Sequence, residues 1–215
     1  MNWWKSATTR NRIVILGLLV WSYGVQAQEF LNLSFEHNTP RGYPLVWQVN
    51  EGSGLPSSIR IDSSQAYNGQ KCLRITARQA SMLLAGLFFS VEQLKGRTLT
   101  LTGQIRTDSL QGGVAQLFHY DYGQLSFSVS KQMASQTTAW QTFRYSFSMP
   151  AEARGEGFVT GIKVNGTGNV YLDAVRIELD GKELIDINPD LKPLTLKQQT
   201  WLNQAVLPLR LLKTL

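Results

Sequence analysis

The sequence predicts an all-β chain folded as a β-sandwich or jelly roll, and three observations carry that reading. Apolar and polar residues alternate with period 2 in segment after segment, as in residues 98–107 (TLTLTGQIRT) and 140–149 (WQTFRYSFSM). Turn signals such as Asn68-Gly69, Lys95-Gly96 and Gly112-Gly113 punctuate those segments. The result is roughly nine to eleven short strands at the close, even spacing expected of a two-sheet sandwich. No internal repeat period competes with it.

In chain order, residues 28–36 (QEFLNLSFE) read as a first strand through Phe30, Leu31, Leu33 and Phe35. A Pro/Gly turn cluster (37–44, HNTPRGYP) leads to a short strand at 45–49 (LVWQV), then to a loop with two glycines and a proline. Residues 58–62 (SIRID) alternate, 63–69 (SSQAYNG) turn, and 71–77 (KCLRITA) place Leu73, Ile75 and Ala77 on one face. The run 81–91 (SMLLAGLFFSV) is apolar throughout; its flanking turn signals and Phe88-Phe89 favour a buried strand over a helix. In 98–107 the inward set is Leu99, Leu101, Gly103 and Ile105. Residues 114–122 and 124–130 form a hairpin around Gly123, 140–149 put Phe143, Tyr145 and Phe147 on one face, and 158–164 (FVTGIKV) make the next strand.

The closing strand is the most informative. A Gly-rich turn at 166–168 feeds Val170, Leu172, Val175, Ile177 and Leu179, and the alternation slips by one across Asp173-Ala174. A period-2 face with one slip predicts a bulge or bend at the aspartate. An acid inside an apolar strand is costly unless it is paired, accepts backbone N–H bonds, or meets a cation.

The ends differ in character from the middle. Lys5, Arg10 and Arg12 precede an apolar run at 13–21 (IVILGLLVW), and Val25-Gln26-Ala27 fits a small-residue cleavage site before Gln28. Residues 1–27 therefore read as a cleavable signal peptide and the mature chain as secreted or periplasmic, touching a membrane only through that leader. The apolar run is about half the ~20 residues a spanning helix needs. Removing the leader leaves eighteen basic against 15 acidic residues, a net charge of +3 instead of +6. So small an excess gives no nucleic-acid footprint. Cys72 is the one cysteine, so no internal disulfide forms, and stability must come from the core or a bound ion. Residues 28–187 are assigned to the sandwich and 188–215 to a linker helix and tail. Thr195 with Gln198 makes a capping box, Trp201, Leu202, Ala205 and Val206 make one apolar stripe, and Pro208 ends it. The apolar residues 209–215 expect a covering partner.

Three stretches carry a resemblance. Leu31-Asn32-Leu33-Ser34-Phe35-Glu36, the run from Tyr67 to Ile75 (YNGQKCLRI), and Gly168 to Ile177 (GNVYLDAVRI), with residues 94–107 between them, resemble galactose-binding-like jelly-roll carbohydrate-binding modules over about residues 30–180. The tail from Pro193 to Leu209 (PLTLKQQTWLNQAVLPL) is similar to the linker helix that precedes the catalytic domain in bacterial erythromycin-esterase-like proteins. The resemblance implies a non-catalytic, secreted glycan-binding module. The alternative is the structural N-terminal accessory domain of such a hydrolase, with the catalytic domain a partner missing from this chain. It also implies a structural calcium where the first and last strands meet, held by Glu36, Asp173 and a backbone oxygen near Lys71. Hard oxygen donors suit calcium.

Candidate glycan residues are aromatics that the core does not need, beside polar groups: Tyr43 and the cluster His119, Tyr120, Asp121 and Tyr122. Trp47 and Trp140 are expected in the core. Catalytic signals are thin. His37 and His119 are the two histidines, and no nucleophile elbow, clustered His/Cys metal site or distinctive acid pair occurs.

Overall fold

The computed structural model describes residues 31–51, 57–78, 82–121, 126–129, 139–155 and 157–184. The leader, the linker helix and tail, and Tyr122 lie outside the described residues. The strands are β1 (Gln48–Asn50), β2 (Ser58–Asp62), β3 (Cys72–Arg78), β4 (Leu83–Phe89), β5 (Thr98–Gln111), β6 (Ala115–Asp121), β7 (Ser126–Val129), β8 (Gln141–Ser148), β9 (Phe158–Val164), β10 (Thr167–Leu179) and β11 (Lys182–Glu183). One helical turn, α1 (Val91–Leu94), links β4 to β5.

Two antiparallel sheets result, ordered β1-β4-β9-β6-β7 and β2-β3-β10-β5-β8, with β11 on β10. Consecutive strands switch sheets from β1 to β2, β3 through to β6, and β7 through to β10. This is the expected jelly-roll β-sandwich. Its core lies between the inner faces: Ile59, Leu73, Ile75, Leu99, Leu101, Val170 and Leu172 from one sheet meet Leu83, Ala85, Leu87, Leu117, Ile162 and Val164 from the other.

The predicted slip in the closing strand is present. Pairing of β10 with β5 shifts between Asp173↔Gln104 and Arg176↔Thr102, and Ala174 takes φ 48°. The extra residue turns Val175, Ile177 and Leu179 back inward after Val170 and Leu172, all at 0–1% exposure.

The predicted first strand is not formed in its described part. Residues 31–36 make a turn, with Asn32 at φ 50° and Phe35 at φ 59°. The cause is Asn32, which is fully buried and tolerates the left-handed region. Its Nδ2 donates to the carbonyls of His37 (2.8 Å) and Leu45 (3.1 Å), and its Oδ1 accepts from the His37 N–H. Leu33 and Phe35 still fill the core, with Phe35 4.8 Å from the Trp47 ring. The Val175 N–H at the bulge donates to the Leu33 carbonyl, which docks this plug onto β10.

Replacing Asn32 by alanine leaves those backbone groups without their partner and should cost about 1–3 kcal/mol of stability in urea denaturation. A loss within ~0.5 kcal/mol, the range of ordinary surface substitutions, would show that the side chain does not hold the plug.

Candidate functional site

Alternation along β6 divides the expected cluster. His119 and Asp121 share the inward phase of Ala115 and Leu117, while Tyr120 shares the outward phase of Gln116 and Phe118. The His119 ring lies 4.4 Å from Phe147 and 5.5 Å from Phe158, centroid to centroid, so it packs between the sheets. Its Nδ1 is 2.8 Å from the Tyr145 hydroxyl. Burial holds this imidazole below its ordinary pKa, against the opposing pull of the Asp121 charge. Asp121 is itself only 4% exposed.

Tyr120 belongs to a second apolar cluster, on the outer face of the five-stranded sheet. Phe88, Val159 and Tyr120 form one cross-strand row by register, and Phe118 and Leu84 flank it. Burial and then the Asp121 charge raise the Tyr120 phenol pKa. Beside the row, Gly86 pairs with Gly161 and Gly161 with Phe118. A Cβ on Gly161 would meet the Ala85 carbonyl, so bare backbone is required at the centre of this face. Gln48, opposite Gly86, presents a buried Nε2 with no hydrogen-bond partner. The row is closed: its side chains are 2–8% exposed. Sequence reasoning missed this face because β4 is apolar on both sides, which erases the alternation that would separate inner from outer residues.

The other expected aromatics lie elsewhere. Tyr43 donates from its hydroxyl to Glu51 Oε2 (3.0 Å), and the Arg60 guanidinium stacks 4.1 Å over its ring. Arg60 also pairs with Glu51. The Tyr43 face is thus occupied at the β2 edge, away from Tyr120. Trp47 is 6% exposed and donates its indole N–H to the Leu31 carbonyl, as a core residue. Trp140 is half-buried rather than part of the core, edge-on to Tyr67 at 5.6 Å.

Glu36 and Asp173 both meet the turn at residues 67–71. Asp173 is fully buried at the β10 bulge, and three N–H groups donate to it: Tyr67 (2.8 Å) and Asn68 (2.9 Å) to Oδ2, Ala174 (2.6 Å) to Oδ1. Glu36 Oε1 accepts from Gln70 (2.8 Å) and Lys71 (3.2 Å) of the same turn. Lys71 Nζ donates to the Glu36 carbonyl and to Asn38 Oδ1 rather than to either carboxylate. Gly69, at φ +71°, is required here because a side chain would strike the Glu36 carboxylate. Burial raises the Asp173 pKa most; the three N–H bonds oppose it, and the Glu36 charge adds to it. Among the described residues neither carboxylate is in an ion pair, and no group of three or more His, Cys, Asp or Glu gathers.

No family model and no curated protein matches the chain. Solved structures do. A family 22 xylan-binding domain is similar over 69% of this chain and 93% of its own, with a TM-score of 0.51 and 16% identity. A family 22 carbohydrate-binding module from Clostridium thermocellum is similar over 70% and 96%, at 0.50 and 17%. A cyclase from Fischerella is similar over 71% and 95%, at 0.51 and 14%. At such identities the likeness shows the fold, which both binding modules and an enzyme use.

The pH dependence of the buried histidine has a defined sign. Its folded pKa lies below 6.5, so the unfolded chain takes up the proton first as pH falls. Stability should therefore drop as pH falls from about 6.5 through the folded pKa, and urea denaturation of His119→Gln should show a flatter curve over that window. Parallel curves for the two proteins would place the pH dependence elsewhere.

Proposed function

We propose that this chain is a non-catalytic carbohydrate-binding module whose ligand face is the outer side of the five-stranded sheet. One observation carries the reading: a sheet face directed away from the core is built from Phe88, Phe118, Tyr120 and Val159 around the bare Gly86–Gly161 backbone. In a two-layer sandwich an outer face ordinarily meets water and is polar; this row is apolar and only 2–8% exposed. Aromatic rings take the apolar face of a sugar, and the unpartnered Gln48 amide is a donor for its hydroxyls. The similarity to xylan-binding domains supports a β-linked neutral glycan as the ligand class. Because the row is closed, ligand entry requires it to open. The leader pattern supports export, where such polymers are met.

A structural calcium belongs to the same proposal, supported by the approach of two carboxylates to one turn. Two carboxylates of like charge meet one turn, and the Glu36 charge raises the cost of charging Asp173. Glu36 and Asp173 would hold the ion with backbone oxygens of the 67–71 turn. It would supply charge neutralisation that three N–H bonds and the Lys71 ammonium do not. A second reading rests on the tail resemblance at 193–209: the sandwich as accessory domain of an erythromycin-esterase-like hydrolase. An in-frame hydrolase sequence downstream would select it.

Xylo-oligosaccharides and other neutral glycans on an array should bind the chain, and Tyr120→Ala should weaken binding by about tenfold or more, the loss of one stacking aromatic. No binding across a broad array overturns the reading. Calcium should raise the melting temperature and EDTA lower it; identical melting in both would remove the ion from the proposal, and Asp173→Asn should abolish the calcium response.

A further inference from the structure

The outer face of the six-stranded sheet, on the opposite side of the sandwich, carries a different row. Pairing sets Arg60 against Arg74, Arg74 against Tyr171, and Tyr171 against Arg106, so these four residues line up across β2, β3, β10 and β5. Trp140 precedes β8 in phase with Thr142 and Arg144, which places it beside Arg106 at the end of the row. The guanidinium carbons of Arg74 and Arg106 stand 5.8 and 5.6 Å from the centroid of Tyr171, which is 4% exposed beneath them. The turn after β2 folds over this end: Gln65 Oε1 accepts from Arg106 Nη1 (2.7 Å), and Tyr67 meets Trp140 edge-on.

Charge distinguishes the three arginines. Arg60 is paired with Glu51, and Arg74 with Asp62 at 3.2 Å. Arg106 has no acidic partner among the described residues; its hydrogen bond goes to a neutral amide, and its buried Nε has no acceptor. Its charge is therefore met by no carboxylate among the described residues. Next to it stands an aromatic pair that the core does not use, with Tyr67 51% exposed and Trp140 half-buried.

We propose that Tyr67, Trp140 and Arg106 form a second ligand site, specific for an acidic polysaccharide built from uronic acids. The two rings take the apolar face of a pyranose, and Arg106 takes its carboxylate. A guanidinium without an acidic partner favours a carboxylate, and the aromatic pair favours a sugar ring over a free anion. The site depends on the clamp described above, since Asp173 holds the Tyr67 and Asn68 N–H groups and so fixes the platform that Tyr67 stands on. It is separate from the Tyr120 face, so either surface can fail without the other.

The test is calorimetric titration of the chain with oligogalacturonate and with its methyl-esterified form at low salt. The acid should bind and the ester should bind about tenfold or more weakly, the effect of losing a charge-assisted hydrogen bond. Arg106→Gln should bring the acid down to the level of the ester. Tyr67→Ala, at a half-exposed position that the core does not need, should weaken both ligands. Equal binding of acid and ester, or an Arg106→Gln protein with unchanged affinity for the acid, overturns the proposal. So does a wild-type chain that binds no oligogalacturonate.

Discussion

One buried carboxylate organises this sandwich. Asp173 has no exposed surface, and it sits where the closing strand bulges. Burial disfavours its charge, and the three N–H groups of Tyr67, Asn68 and Ala174 offset that cost. Two of those donors come from a turn more than a hundred residues earlier in the chain. The same turn reaches Glu36 through Gln70 and Lys71, and the bulge reaches Leu33 through Val175. The N-terminal plug, the first hairpin turn and the last long strand are thereby tied at one place. No internal disulfide can do this: the one cysteine, Cys72, is fully buried, and burial pushes its thiol pKa up to about 12.

The two outer faces follow from the strand pleat, yet they are chemically unlike. On the five-stranded sheet the outward phase of β4, β9 and β6 carries the apolar row of Phe88, Val159 and Tyr120, with two glycines paired beside it and Lys163 and Gln116 beyond. On the six-stranded sheet the outward phase carries a row of arginines around Tyr171, in which Glu51 pairs with Arg60 and Asp62 with Arg74. One residue of phase decides which chemistry a side chain joins. Tyr120 faces outward, whereas His119, its neighbour, stacks on Phe147 and bonds Tyr145 in the interior.

Much of the fold was legible in the sequence because half-buried strands write their faces as alternation. Residues 158–164 match β9 without correction, and the slip at Asp173-Ala174 was visible as one broken period. The first strand was misread because residues 31–36 carry a strand-like apolar pattern for another reason. Leu33 and Phe35 enter the core from a turn, and a buried asparagine, not a sheet ladder, satisfies the local backbone. The candidate site was less legible. In residues 81–91 both faces are apolar, so no pattern shows which side chains leave the core.

By itself the sequence determined the all-β class, the even spacing of the strands, the single unpaired cysteine and the presence of an acid where the closing strand breaks phase. Those properties are local, set by side-chain period, turn chemistry and residue count. The tertiary structure alone decided what that acid does and which aromatics share a surface. Both depend on sheet order and register between distant segments. β10 lies between β3 and β5, which brings Tyr171 between Arg74 and Arg106, and the turn after β2 folds back over the Asp173 bulge. No period in the chain encodes those neighbours.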